Sequence, residues 1–184
     1  MLHGIDVSAF QSSSYDTDGL SFVFIKATEG RSYVNPRLAA QTKTARDAGL
    51  VVGFYHFLWP GHLGDQADHF LRHAPDRPGD LLAVDWENTG DGTHASNAEK
   101  DRFLRKLKES RPDNRILLYC NRHFWLDIDT TSYAGDGLWI ADYVSAGKPR
   151  ITAKWRFHQY TSEPHDKNVA RFADADDLRD WATS

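Results

Sequence analysis

The sequence predicts an α/β fold: a shortened β/α barrel of about five βα units followed by three closely spaced strands. Three observations predict it. Short apolar runs alternate with helix-like segments through the first two thirds of the chain, which implies parallel βα units. Eight strand candidates can be counted, enough to close a sheet on itself. The late candidates then crowd together. Residues 143–154, twelve in all, and residues 160–168, nine in all, leave no room for a crossover helix with its turns. An ordinary (β/α)8 barrel takes about 250 residues, and this chain has 184. A TIM-like barrel stripped of some helices fits that length.

The strand candidates, in order, are His3–Val7, Phe22–Ala27, Val51–Phe57, Leu81–Trp86, Ile116–Tyr119, Leu138–Asp142, Trp155–Gln159 and Val169–Phe172. Asn35-Pro36 reads as a helix N-cap followed by proline at the first helical position, and Gly49 closes that helix. Leu63–His73 is a second helix. Ser96-Asn97-Ala98-Glu99 is a capping box, followed by a buried stripe of Phe103, Leu104 and Leu107 and a stop at Pro112. Ala175–Trp181 reads as a closing helix, and the polar stretch Asn88–Asn97 as a loop. No repeat or interdomain linker stands out, so a single domain spanning 1–184 is expected.

Composition narrows the partners. A net charge of -4 and no polybasic run make nucleic acid and anionic lipid poor partners. Cys120 is the only cysteine, so no intrachain disulfide and no CxxC metal or redox motif is available. MLHGIDVSAF lacks the basic and apolar regions of a signal peptide, and no apolar run approaches the ~20 residues of a membrane span. Neither export by this chain's own leader nor membrane insertion is expected. The protein is read as a monomer, reaching an extracellular substrate by another route or as a mature fragment.

The chemistry-bearing residues fall at strand ends. In LLAVDWEN, residues 81–88, an apolar strand runs into Asp85 and Glu87. Residues two apart on a strand share a face, so the two carboxylates project together, roughly 6.5–7 Å apart at the backbone, while Trp86 turns away. Asp6 and Asp142 end two other strands. Barrel chemistry sits at the C-terminal ends of the strands, and a carboxylate pair flanking a bond is the usual equipment for glycoside cleavage. A D-x-E at a strand end is also compatible with solvated loop residues or with a metal site, and spacing alone leaves these open. Tyr55, Tyr119, Trp139 and Gln159, near the ends of other strands, add aromatic walls and a polar contact. Together with Asp142 they describe a substrate-binding cleft suited to a sugar chain.

GIDVSAFQ, FVFIKATEG, GFYHF and LAVDWE occur in that order, followed by LWIADY, WRFHQYT and HDKNVARF. In these segments the chain resembles glycoside hydrolase family 25, the Chalaropsis-type lysozymes that also serve as phage endolysins. The likeness runs from Gly4 to about Phe172, although the phenylalanine of the last motif falls later than usual, at Phe172. The resemblance implies a barrel with fewer helices than normal. It also implies N-acetylmuramidase activity on peptidoglycan: hydrolysis of the β-1,4 bond between N-acetylmuramic acid and N-acetylglucosamine, with retention. Glu87 is then the general acid, Asp85 and Asp6 are its acidic partners, and Asp166 is a fourth acidic position. The expected partner is the peptidoglycan glycan strand, with no cofactor and no metal, and the expected site of action is the bacterial cell wall. Phage origin would give holin-dependent release as the route. Two rival readings remain at this stage: a metal-dependent barrel hydrolase using His3, Asp6, His56 and Glu87, and a non-catalytic glycan-binding module on the same scaffold.

Overall fold

The computed structural model describes residues 1–184. In chain order the strands are β1 (Leu2–Val7), β2 (Phe22–Glu29), β3 (Tyr33–Val34), β4 (Val51–Phe57), β5 (Leu81–Asp85), β6 (Arg115–Asn121), β7 (Gly137–Ala141), β8 (Phe157–Thr161) and β9 (Lys167–Ala170). The helices are α1 (Leu38–Asp47), α2 (Leu63–His73), α3 (Asn97–Ser110) and α4 (Ala175–Thr183), with one π-helical turn at Phe124–Ile128. The strands form one sheet in the order β1-β9-β8-β7-β6-β5-β4-β2-β3, and β1 also pairs with β2. That pairing closes an eight-stranded barrel, with β3 folded back on β2 as a short hairpin. No helix is long and apolar enough to cross a membrane.

Six neighbouring strand pairs around the barrel are parallel, and β9 runs antiparallel to both β8 and β1. The crowding of the late strands has two outcomes. β7 and β8 stay parallel, joined by a helix-free loop. Between β8 and β9 only residues 162–166 intervene, so the chain turns straight back and the last strand is reversed.

Three crossovers carry an α-helix rather than the five anticipated. Residues 8–21 between β1 and β2 contain no helix, and the β6–β7 connection holds only the π-helical turn. The first of these stretches is rich in Ser, with two Asp and no apolar stripe to bury, so tertiary packing gives it no reason to become helical. Asn35-Pro36 also acts one step ahead of its expected place. The helix begins at Leu38, and the Asn35 side chain accepts from Arg37 N at 2.9 Å while donating to Lys26 O and to Gln41. The capping box of α3 forms as read, with Ser96 Oγ accepting from Glu99 N at 3.1 Å and Glu99 Oε2 from Ser96 N at 2.8 Å.

Strand alternation sorts the side chains into two cores. Outward residues such as Val23, Ile25, Phe54, Leu82, Val84 and Leu118 pack against α1–α3. Inward residues fill the barrel: Phe22, Phe24, Val51, Leu81, Ala83, Leu117, Trp139 and Phe157. Phe24 stacks on Trp139 with centroids 4.1 Å apart, and Phe157 meets Phe22 and Phe24 edge-on at 5.1 Å. Two glycines make room. A Cβ on Gly4 would strike the Phe22 ring, and one on Gly53 would strike the Phe24 ring.

Outside the barrel, buried His56 bridges Thr28 Oγ1 at 2.7 Å and Gln66 Oε1 at 3.0 Å, tying β2 and β4 to α2. Burial pushes this imidazole down to about 4, so it is held neutral.

Gly53→Ala should destabilise the protein by about 1–3 kcal/mol, the usual cost of forcing extra volume into a closed core. Thermal unfolding checks it; an unchanged Tm would mean that the Phe24 ring can yield. Because His56 is depressed in the fold relative to its ordinary value, its contribution to stability is lost as pH falls from about 6.5 towards 4. A His56→Gln variant should therefore show a shallower fall in Tm over that window than the wild type.

Candidate active site

The inward-facing positions change character at one level of the barrel. On β5 they read Leu81, Ala83, Asp85; on β4 Val51, Gly53, Tyr55; on β6 Leu117, Tyr119; on β8 Phe157, Gln159; on β1 Gly4, Asp6. The lower layers are apolar and the top layer is polar. At that level lies a cavity of about 170 Å³ lined by Asp6, Tyr55, Asp85, Glu87, Tyr119, Trp139, Tyr143, Gln159 and Asp166. It therefore brings together all four acidic residues singled out from the sequence. Of the five suggested binding residues it includes Tyr55, Tyr119, Trp139 and Gln159.

Local backbone geometry sets Asp85 and Glu87. The ladder continues one residue past β5, with Trp86 N donating to Tyr119 O at 2.9 Å, which keeps Glu87 on the inward side. Trp86 turns outward and is fully buried, and its Nε1 donates to Ala95 O at 2.8 Å. Lys100 lies 5.2 Å from the Trp86 ring centroid. The same buried ammonium holds Asp101, Asp129, Thr131 and the Tyr133 carbonyl at 2.8–3.0 Å. This cluster pins the residue between the two carboxylates from behind.

Asp6 is held differently. Its Oδ2 accepts from Gln159 Nε2 at 2.8 Å and from Asn168 Nδ2 at 2.7 Å. Gln159 Oε1 in turn accepts from Tyr119 OH at 2.9 Å and Tyr143 OH at 3.1 Å, and Asn168 Oδ1 accepts from Trp139 Nε1 at 2.7 Å. Asp166 sits in the β8–β9 turn, its backbone carbonyl accepting from Asp6 N at 3.4 Å. Because β9 runs backwards, this turn lies at the same barrel end as the C-termini of the parallel strands.

The electrostatics follow from the crowding. Burial, and then the Asp166 charge beside it, push the Asp6 carboxyl well above the usual carboxylate range, against the lowering pull of the two amides. Burial and the neighbouring Glu87 do the same to Asp85, with Lys26 acting in the opposite direction. Burial also raises Asp166. Tyr55 and Tyr119 are pushed up by burial and then by the surrounding carboxylates, so both remain neutral phenols. Asp85 Oδ1 is buried and has no hydrogen-bond partner. A carboxyl oxygen in that condition is open to a shared proton from the Glu87 carboxyl beside it or to a donor on a ligand. With proton affinities raised by crowding, the cluster can present both acid and base groups to one small volume.

Asp142 does not reach this cavity. Its carboxylate is taken by Arg150, through Nη2 at 2.6 Å, Nε at 3.1 Å and the backbone N at 2.9 Å, and these bonds hold it below the usual range. Trp139 is only 2 % exposed and forms the cavity floor rather than a wall. Tyr143, on the same face of LWIADY as Trp139, also reaches the cavity, and two residues near the site were missed from sequence: Asn168 and Lys26. Lys26 follows Phe24 by two on the inward side of β2, and Asn168 lies in the HDKNVARF segment, so both carried a positional signal.

Asp85→Asn should stabilise the protein while impairing the site. The folded carboxyl is raised above its unfolded value, so it weakens the fold increasingly as pH climbs above about 4. The expected gain is a Tm higher by about 2–4 °C at pH 7, equivalent to ~1 kcal/mol, shrinking towards pH 4. A variant that melts lower at pH 7 than at pH 4, relative to wild type, contradicts the sign.

The sequence profile described as Glycosyl hydrolases family 25 matches residues 5–169. The chain is 29% identical over 183 residues to the autolytic lysozyme of Clostridium acetobutylicum, covering 96% of this chain and 56% of that protein. It is 30% identical over 185 residues to lysozyme M1 of Streptomyces globisporus, covering 88% of this chain and 62% of that protein. The chain thus spans less than two thirds of the length of these curated relatives. Among solved structures, the bacterial lysozyme from Streptomyces coelicolor aligns with a TM-score of 0.82 at 28% identity, over 99% of this chain and 97% of that one. The muramidase from Acremonium alcalophilum aligns with a TM-score of 0.84 at 25% identity, over 100% and 99%. A profile match running from the first strand to the last, on a barrel of the same shape, leads to one conclusion: the chain belongs to glycosyl hydrolases family 25.

Proposed function

We propose that this chain is a single catalytic domain with N-acetylmuramidase activity, a monomer that cleaves peptidoglycan glycan strands in the bacterial cell wall. The bond is the β-1,4 linkage from N-acetylmuramic acid to N-acetylglucosamine, cut with retention. The observation that carries this reading is the crowding of four carboxyls around one small cavity at the C-terminal end of a family 25 barrel. Glu87, half-buried at the cavity edge, acts as the general acid on the leaving oxygen. Asp85, with its unpartnered Oδ1, receives the N–H of the substrate's acetamido group and turns the acetamido oxygen towards the anomeric carbon.

Asp6 is less suited to attack that carbon itself. Its Oδ2 already accepts two amide hydrogens, and burial holds the carboxyl towards its neutral form. In this reading Asp6, held by its two amide partners, and Asp166 line the pocket around the sugar ring together with Tyr55, Tyr119, Trp139 and Gln159.

The metal-hydrolase reading has no geometric support. His56 lies outside the barrel between Phe70 and Phe103, with both ring nitrogens engaged, and His3 alternates with inward Gly4 on an exposed face. These two do not converge with Asp6 and Glu87.

Glu87→Gln should reduce lysis of purified cell walls by about 10²–10⁴-fold with Tm unchanged, since the amide keeps the shape but has no proton to give. Retention of more than about a tenth of wild-type activity removes Glu87 from this role. Mass spectrometry of digested peptidoglycan should find muramic acid at the new reducing ends; glucosamine there, or free peptides, would name a different bond. A glycosyl ester trapped on Asp6 would overturn the acetamido route.

A further inference from the structure

A second depression, of about 440 Å³, opens beside the acidic cavity and shares Glu87, Tyr119 and Tyr143 with it. It lies over the ends of β6 and β7, across the barrel from β1 and Asp6. If Glu87 stands between the two sugars flanking the scissile bond, this depression is on the leaving-group side. Unlike the acidic cavity it carries basic groups: Arg122 and Arg150 line it beside Asp142 and the shared Glu87.

The two guanidinium groups are built in place rather than scattered. Buried Asp142 fixes Arg150 through three hydrogen bonds, and the Arg150 carbonyl accepts from Arg122 Nε at 3.0 Å. Arg150 is thereby neutralised by Asp142, and His123 is paired with Asp127 at 2.8 Å. Arg122 keeps its terminal nitrogens and has no carboxylate partner within its own chain. A planar guanidinium held at its Nε and free at its tip is shaped to take a carboxylate.

The geometry points to a receptor for the carboxylates of the peptide stem carried by muramic acid on the leaving-group side of the cut. This rests on the muramidase reading above. With N-acetylglucosamine as the first leaving-group sugar, against Glu87, the second is a stemmed muramic acid, and its stem is the group that the outer part of this depression, at Arg122, would meet. The physical need is also plain. A strand bearing anionic stems must approach a site crowded with four carboxyls in a protein of net charge -4, and a fixed cation at the rim offsets that repulsion.

The test compares kcat/KM on glycan strands with intact stems and on the same strands stripped of stems by an amidase, for wild type and Arg122→Gln. Wild type should prefer the stemmed strands by about three- to ten-fold, and the variant should lose most of that ratio. Added salt should erode the wild-type preference in the same way. Equal losses on both substrates, or no wild-type preference, would overturn the inference. Walls freed of phosphate substituents but retaining their stems form a third arm. A preference that vanishes there would assign the cation to phosphate instead and sink the stem reading. Failure of wild type to cut either strand would strike the muramidase reading itself, which separates the two failures. His123→Gln made alongside, with Tm measured for both variants, guards against misfolding: a stable Arg122→Gln protein that keeps the full ratio also rejects the proposal.

Discussion

The barrel is filled by large rings, and that filling fixes the level at which chemistry can occur. Phe22, Phe24, Trp139 and Phe157 occupy the lower interior, with Gly4 and Gly53 surrendering side-chain volume to accommodate them. The top layer of inward residues thus rests on an apolar, packed floor. The carboxyls of Asp6 and Asp85 are therefore desolvated from below by the same packing that stabilises the fold. Their raised proton affinities and the hydrophobic core are two consequences of one arrangement.

Satisfying such groups takes a network rather than a single partner. Asp6 is served by two amides, whose oxygens are in turn served by two phenols and an indole. The donors come from β6, β7, β8, β9 and the loop just after β7, so the network also braces these strands against β1. Asp85 is left out of this system, with a bare oxygen facing the cavity. That asymmetry divides the site into a half ordered by the protein and a half awaiting its ligand.

Much of this was legible in the sequence because it depends on local rules. Strand positions, the shared face of Asp85 and Glu87, the capping box at Ser96 and the crowding after β7 follow from periodicity, spacing and turn chemistry. Asp166 entered only through family resemblance, since its loop has no pattern of its own. The unread parts depend on distant neighbours. Asn168 meets Asp6 across 162 positions, and nothing near either residue announces the pairing. Asp142 reads as one more strand-end acid until Arg150 is seen to hold it. Trp139 looks like a wall of the cleft until its Nε1 is found bound to Asn168. The helix count differed because a polar crossover needs no helix when the gap it spans is short.

The reversed last strand has a consequence for the life of the chain. β9 supplies Asn168 and carries the turn bearing Asp166, and it is also the strand that seals the sheet against β1. Sheet closure and assembly of the carboxyl network are thus the same event, brought about by contacts between the first and last strands, such as Asp6 with Asn168 across 162 positions. Such contacts form late, because the loop entropy they require must be overcome first. A chain whose last strand has not docked would carry Asp85 and Glu87 but leave Asp6 without the Asn168 amide and the turn bearing Asp166. For a protein read as a wall-cutting enzyme, competence would arrive in one step, only when the final strand has slotted home.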